Sequence, residues 1–169
     1  MSVLKIYKYP ENVLKKKALK IENIDGGLQT LIDDMVQTMY NAPGIGLAAN
    51  QVGELKRLVV IDISTKEKSY PLIIVINPEI VHADKFEPSE EGCLSLPGCT
   101  ISVDRASEIV VRGIDRNGNP IEIEAKGLLA RAFQHELDHL DGIVLFDKLS
   151  PIKREFYKKK YLKSLKDEK

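Results

Sequence analysis

Two cysteines in 169 residues are too few for a disulfide framework, so Cys93 and Cys99 are expected as free thiols or metal ligands. Long apolar runs are missing too: nothing approaches the ~20 residues needed to span a bilayer. The opening Met-Ser-Val-Leu-Lys also lacks the apolar stretch of a secretory signal, so a cytosolic location with no membrane contact is expected. Net charge is absent, 25 Lys and Arg balancing 25 Asp and Glu, which argues against sequence-specific nucleic acid as the main partner. No internal repeat, low-complexity segment or linker divides the chain, and residues 1–169 are expected to form one domain. A chain of this length buries roughly 70% of its unfolded surface, so its core needs no metal, and any metal present would be functional.

The balanced total hides an asymmetry. From Pro151 onward there are eight basic residues (Lys153, Arg154, Lys158, Lys159, Lys160, Lys163, Lys166, Lys169) against Glu155, Asp167 and Glu168, leaving the tail at about +5 and the rest at about −5. Such a tail suits a polyanion or is simply a solvated helix.

Apolar residues at Leu28, Leu31, Ile32, Met35, Val36 and Met39 share one helical face, which predicts an amphipathic helix between Asp25 and Asn41. Pro43 and Gly44 end it and open a small-residue loop through Ala49. Short strands are expected at 57–63, at 72–76 with Asn77-Pro78 closing it, and at 101–103. Residues 108–115 and 120–124 flank Arg116-Asn117-Gly118-Asn119 and read as a hairpin. A second helix is predicted from about Gly127 to Leu140. On it Leu128, Ala132, His135 and His139 share a face, with Arg131, Gln134, Asp138 and Asp141 on the opposite polar arc. Residues 144–149 are a candidate strand, and Ser150-Pro151 starts a last helix through Leu165. The class is α+β: antiparallel β-sheets packed around a central metal-binding helix, with an N-terminal amphipathic helix and a C-terminal helix.

His135-Glu136-Leu137-Asp138-His139 is an H-E-x-x-H sequence. On a helix it sets two imidazoles one turn apart with a carboxylate beside them, the arrangement of a metal site with a built-in base. Buried histidines satisfied within an apolar face would be the ordinary alternative, but His, Glu and His together are costly to bury. Two imidazoles leave a catalytic site one protein ligand short. Cys93, Cys99, His82 and many carboxylates are available, and ligand chemistry alone does not separate Cys93 from Cys99.

Gly44-Ile45-Gly46-Leu47-Ala48-Ala49-Asn50-Gln51, Glu91-Gly92-Cys93-Leu94-Ser95 and Gln134-His135-Glu136-Leu137-Asp138-His139 resemble the three signature motifs of peptide deformylases, in the same order. The resemblance covers essentially the whole chain. It implies removal of the N-formyl group from the initiator methionine of new bacterial polypeptides, with release of formate, by a cytoplasmic bacterial enzyme. It implies further that Cys93, His135 and His139 bind one divalent metal, iron(II) in most members, with zinc, nickel or cobalt as substitutes. Ligand chemistry alone would favour zinc. By the same resemblance Glu136 is the acid/base, and Gln51 and the backbone N–H of Leu94 are donors to the formyl oxygen. Glu136 would take a proton from water made acidic at the metal, and the two donors would stabilise the oxygen on which charge develops.

Substrate contacts are expected from Ile45, Gly46, Glu91, Gly92, Leu128, Arg131 and Ala132. Gly44 and Gly46 would let backbone approach a bound peptide added as a strand. Glu91 would orient the cysteine loop through Arg105. Departures from the family pattern are Asn50, where Pro is common and a looser loop is expected, Thr100, where many members carry Arg, and Arg131, whose stem is expected to edge the methionine pocket with its head in solvent. The partners expected are formyl-methionyl nascent peptides and, through the basic C-terminal helix, the ribosome surface. On that helix Phe156, Tyr157, Tyr161 and Leu162 would touch the protein body. A zinc endopeptidase would need a third ligand from a later His or Glu, and no His follows His139. A binding module with a structural metal would have no use for Glu136.

Overall fold

The computed structural model describes residues 2–167; Met1, Glu168 and Lys169, which include part of the basic tail, lie outside the described residues. The first helix, α1, runs Gly26–Asn41. Its start is fixed by Asp25, whose carboxylate accepts the N–H of Leu28 at 2.8 Å and so satisfies one of the orphan donors of the first turn. The expected face is buried through Leu28, Ile32, Met35 and Met39.

Five strands follow as one antiparallel sheet in the order β1 to β5: β1 Gly46–Ala48, β2 Leu58–Ile61, β3 Ile73–Cys93, β4 Leu96–Ile114 and β5 Pro120–Lys126. β1 occupies part of the stretch expected as a loop; it pairs Leu47 with Val60 and is tight enough to bury all three of its residues. Helix α2, Gly127–Leu140, has the bounds expected of it.

β2 explains how the layers assemble. Val59 and Ile61 belong to a core with Phe133, Leu137 and Leu140 of α2, while Leu58 and Val60 belong to a core with Ile32, Met35 and Met39 of α1. The strand is covered on both faces, which is why it reads as an unbroken apolar run. A third core gathers Leu14, Leu96, Ile101, Val103 and Phe146 under the last helix, α3, Pro151–Asp167.

Four expectations fail. The strand expected to close at Asn77-Pro78 continues to Cys93, and the strand expected at 101–103 is part of a 19-residue β4 that absorbs 108–114 as well. The ladder shifts register between Ile76 and Glu79, and Asn77 sits there at φ 53° with its side-chain amide bonded to both the N–H and the C=O of Ile21, at 2.9 Å each. Pro78 thus falls where no ladder hydrogen bond is needed. Residues 145–148 form a 3-10 turn instead of a strand, because Asp147 accepts the N–H of Val144 at 3.0 Å and curls the chain. On α3, Tyr157, Tyr161 and Leu165 pack on the body, but Phe156 is 61% exposed and Leu162 is exposed as well, so neither makes the contact expected of it.

Candidate metal centre

Helical pitch places His135 and His139 one turn apart on α2, with ring centroids separated by 5.0 Å. Across from them the β3–β4 hairpin ends at Cys93, where the last of three register shifts in the ladder, between Glu91 and Cys93, brings the thiol up to α2. Cys93 Sγ lies 3.2 Å from His139 Nε2, and the ligand atoms of Cys93, His135 and His139 are all within 4.8 Å of one another. Cys99, which ligand chemistry alone does not separate from Cys93, and His82, the other candidate, are not part of this cluster.

The surroundings fix each ligand. His135 Nδ1 lies 3.0 Å from Glu91 Oε1, which leaves Nε2 for the cluster. Glu91 in turn receives Arg105 in a two-pronged pair at 2.9 and 3.0 Å, and Arg105 also donates to Asp138 at 2.6 Å. Arg105 is almost fully buried, so its charge is held by these two carboxylates. Burial would raise the Glu91 carboxyl, but the His135 hydrogen bond and Arg105 outweigh it and hold it at about 2. Both Glu91 carboxylate oxygens are engaged, so its side chain orients His135 while the residue borders the cleft. Burial likewise opposes ionisation of Cys93, yet the His139 and His135 charges and hydrogen bonds bring its thiol well below the ordinary value, toward the thiolate that binds metals.

Gln51 is buried in the turn 49–52, its Oε1 accepting from Ala48 N at 3.0 Å and its Nε2 donating to Ser95 Oγ at 3.1 Å and reaching Cys93 Sγ at 3.8 Å. Ser95 also donates its N–H to Cys93 Sγ at 3.4 Å and its hydroxyl to Tyr7 O at 2.7 Å. Glu136 is 4% exposed, and its Oε1 has no hydrogen-bond partner. Burial pushes its carboxyl up despite the nearby histidines, as suits a group that takes and returns a proton. A Cβ on Gly46 would stand 2.5 Å from Glu136 Oε2, and one on Gly44 would stand 2.8 Å from Leu94 Cδ1. These glycines make room for two site side chains, where approach of substrate backbone was expected.

The cluster opens into a cleft of about 490 Å³. Ile45 and Gly46 form one wall, the 89–94 stretch with Glu91, Gly92 and Leu94 another, and Leu128, Arg131 and Ala132 of α2 the base. All the expected substrate residues therefore border one space. Arg131 is half-buried, and its Nε is shielded from solvent without a hydrogen-bond partner. The opposite polar arc expected of Arg131, Gln134 and Asp138 does not form: Arg131 borders the cleft with His135, Gln134 bonds both backbone groups of Ala106 at 2.9 and 2.7 Å, and Asp138 holds Arg105. Asn50 does not loosen its loop; it is buried and donates to Lys16 O at 2.8 Å. Ser95 and Asp138 were missed as partners of the site. Arg105 is one of four charged residues on β4, and nothing local marks it as the one that is buried and reaches Asp138.

One thiolate, two imidazoles and a buried carboxylate with an unsatisfied oxygen are a donor set that fits a single divalent metal with an adjacent base. The family model for polypeptide deformylase matches residues 3–155. The chain belongs to the polypeptide deformylase family. A peptide deformylase of Thermodesulfovibrio yellowstonii is 61% identical over 161 residues, spanning 95% of this chain and 98% of the relative. The crystal structure of a peptide deformylase from Legionella pneumophila superposes with a TM-score of 0.90 at 45% identity, covering 99% of both chains. The enzyme from Ehrlichia chaffeensis in complex with actinonin gives 0.88 at 40% identity, covering 97% of this chain and 98% of that one.

Proposed function

We infer that this chain is a peptide deformylase, removing the N-formyl group from the terminal methionine of newly made polypeptides and releasing formate. The observation that carries the reading is the convergence of Cys93, His135 and His139 within 4.8 Å beside a buried Glu136 at the base of a peptide-sized cleft, in a chain of this family. Residues 1–169 act as one catalytic domain in the cytoplasm, its basic tail carried by α3, Pro151–Asp167. Among the described residues no helix is long and apolar enough to cross a membrane.

Cys93, His135 and His139 hold one divalent metal. Iron(II) is assigned from the family likeness, with zinc, nickel or cobalt as substitutes, since thiolate and imidazole donors suit all of them. Bound there, the metal lowers the pKa of water and polarises the formyl oxygen. Glu136 takes the proton of the attacking water and returns it to the leaving amine, a role that its raised carboxyl suits. Gln51 Nε2 and the Leu94 N–H donate to the formyl oxygen as charge develops on it; each such donor contributes about 10²- to 10³-fold in rate. Ser95 and Ala48 keep the Gln51 amide from rotating. Glu91, held by Arg105, fixes the tautomer of His135. Ile45, Gly46, Gly92, Leu128, Arg131 and Ala132 receive the methionine and the start of the peptide. Actinonin, bound by the Ehrlichia relative, is expected in the same cleft.

The test is incubation with a formyl-Met tripeptide and separate assays for formate and for cleaved peptide bonds. A deformylase yields formate alone; an endopeptidase cleaves the chain without formate, and a structural-metal module does neither.

A further inference from the structure

Arginine partners across the fold set Arg131 apart. Arg57 pairs with Asp141, Arg105 with Glu91 and Asp138, Arg112 with Glu122 and Arg116 with Asp33, while Arg154 donates to three backbone carbonyls. Arg131 has no ion pair or hydrogen bond among the described residues, although its Nε is shielded from water. Its two terminal nitrogens stay open toward the cleft with no carboxylate of the described residues beside them, so a ligand that supplies an anion there gains a charge-assisted pair at a half-buried site. Arg131 lies four residues before His135, and so about 6 Å from it along the axis of α2, where it borders the cleft beside Leu128 and Ala132.

We propose that Arg131 selects nascent peptides that carry an acidic side chain within the first residues after the formyl-methionine. The proposal rests on the deformylase reading of the cleft and names a substrate class for it. The planar fork of a guanidinium matches a carboxylate two-pronged. Within a formyl-Met peptide on a growing chain, carboxylates come from aspartate and glutamate side chains; a free C-terminus lies far away or does not yet exist. Glu90 borders the same cleft with opposite charge, but it is exposed, so water and salt screen it more than the half-buried Arg131. Arg131 therefore sets the sign of the preference.

The experiment compares kcat/KM for formate release from formyl-Met-Glu-Ser-amide with formyl-Met-Lys-Ser-amide, and from formyl-Met-Ala-Glu-amide with formyl-Met-Ala-Lys-amide. The blocked C-termini remove the other source of carboxylate. In at least one pair the Glu peptide is expected to be favoured about three- to tenfold at low salt, through KM more than kcat, and added NaCl should shrink the ratio. Arg131→Met should bring the ratio to one and Arg131→Glu should reverse it. Because the ratio is internal to each variant, a general loss of activity cancels, and the salt dependence is read on the unaltered chain. A ratio that Arg131→Met leaves unchanged, or one insensitive to salt, overturns the inference while the deformylase reading stands. Absence of formate from all four peptides overturns that reading and the inference with it.

Discussion

Glu136 can be buried beside the two histidines only because position 46 has no side chain. A methyl group there would meet Glu136 Oε2 at 2.5 Å, so Gly46→Ala must displace the carboxylate. A displacement on the order of 1 Å costs about 10²-fold in rate, and Gly46→Ala is expected to lose that much in kcat while keeping its metal. Metal content measured on the same preparation checks it; full activity would remove Glu136 from the reaction. Arg105 acts two bonds further out, through Glu91 to His135. Arg105→Ala should weaken metal affinity about 10- to 100-fold in a chelator competition, with Arg105→Lys intermediate, whereas Cys93→Ala or His135→Ala should lose metal outright. Cys93 also brings a liability. On the proposal that iron(II) fills the site, this low-pKa thiolate should be lost to peroxide, and the nickel form should resist; an iron form indifferent to peroxide would show that metal or ligand is misassigned.

At the scale of elements, α1 and α2 were legible because their apolar residues recur at 3 and 4 and their ends carry Asp25, Pro43 and Asp141-Gly142. The β3–β4 hairpin was not. Residues 81–88 are exposed on both faces, so no alternation marks them, and the bulge at Asn77 uses a turn dipeptide to bend a strand without ending it. His135 and His139 were readable from the H-E-x-x-H spacing and Cys93 only through its resemblance to the family motif; the Glu91–Arg105 pairing was expected, but its extension to Asp138 depends on register and has no local signature. The turn at 145–148 offers a test of such local chemistry. Burial raises the Asp147 carboxyl, but Lys15 and the Val144 N–H outweigh it and leave it below its ordinary range. A carboxyl with a lowered folded pKa stabilises the fold above the unfolded value of about 4, and this stabilisation fades as pH falls through the folded value. Asp147→Asn should therefore be less stable than the parent at pH 7, with the gap in urea midpoint closing toward pH 3. A gap that persists at low pH would mean that the charge does not matter.

For the whole molecule, the layered core buries β2 between α1 and α2 and leaves α3 attached by one side only. Arg154, counted in the sequence among the charges of the tail, donates to the carbonyls of Phe146, Asp147 and Leu149 at 3.2, 3.3 and 3.2 Å and so anchors α3 to the body. Lys153, Lys159, Lys160 and Lys163 remain exposed beside Ile152 and Phe156, which are 86% and 61% exposed. On the proposal that this helix meets the ribosome, the full chain should co-sediment with ribosomes at low salt and be released at high salt, and a chain ending at Ser150 should not bind. Equal sedimentation of both would leave α3 an ordinary surface helix. The account stands or falls on the cleft, and the most direct measurement is a mass balance on a formyl-Met tripeptide with the parent chain and Glu136→Ala at equal metal content. The parent is expected to produce formate and free N-terminal amine in equal amounts with every peptide bond intact, and Glu136→Ala, still carrying its metal, to be slower by about 10²- to 10⁴-fold. Cleavage within the tripeptide, or a Glu136→Ala variant as fast as the parent, would contradict it.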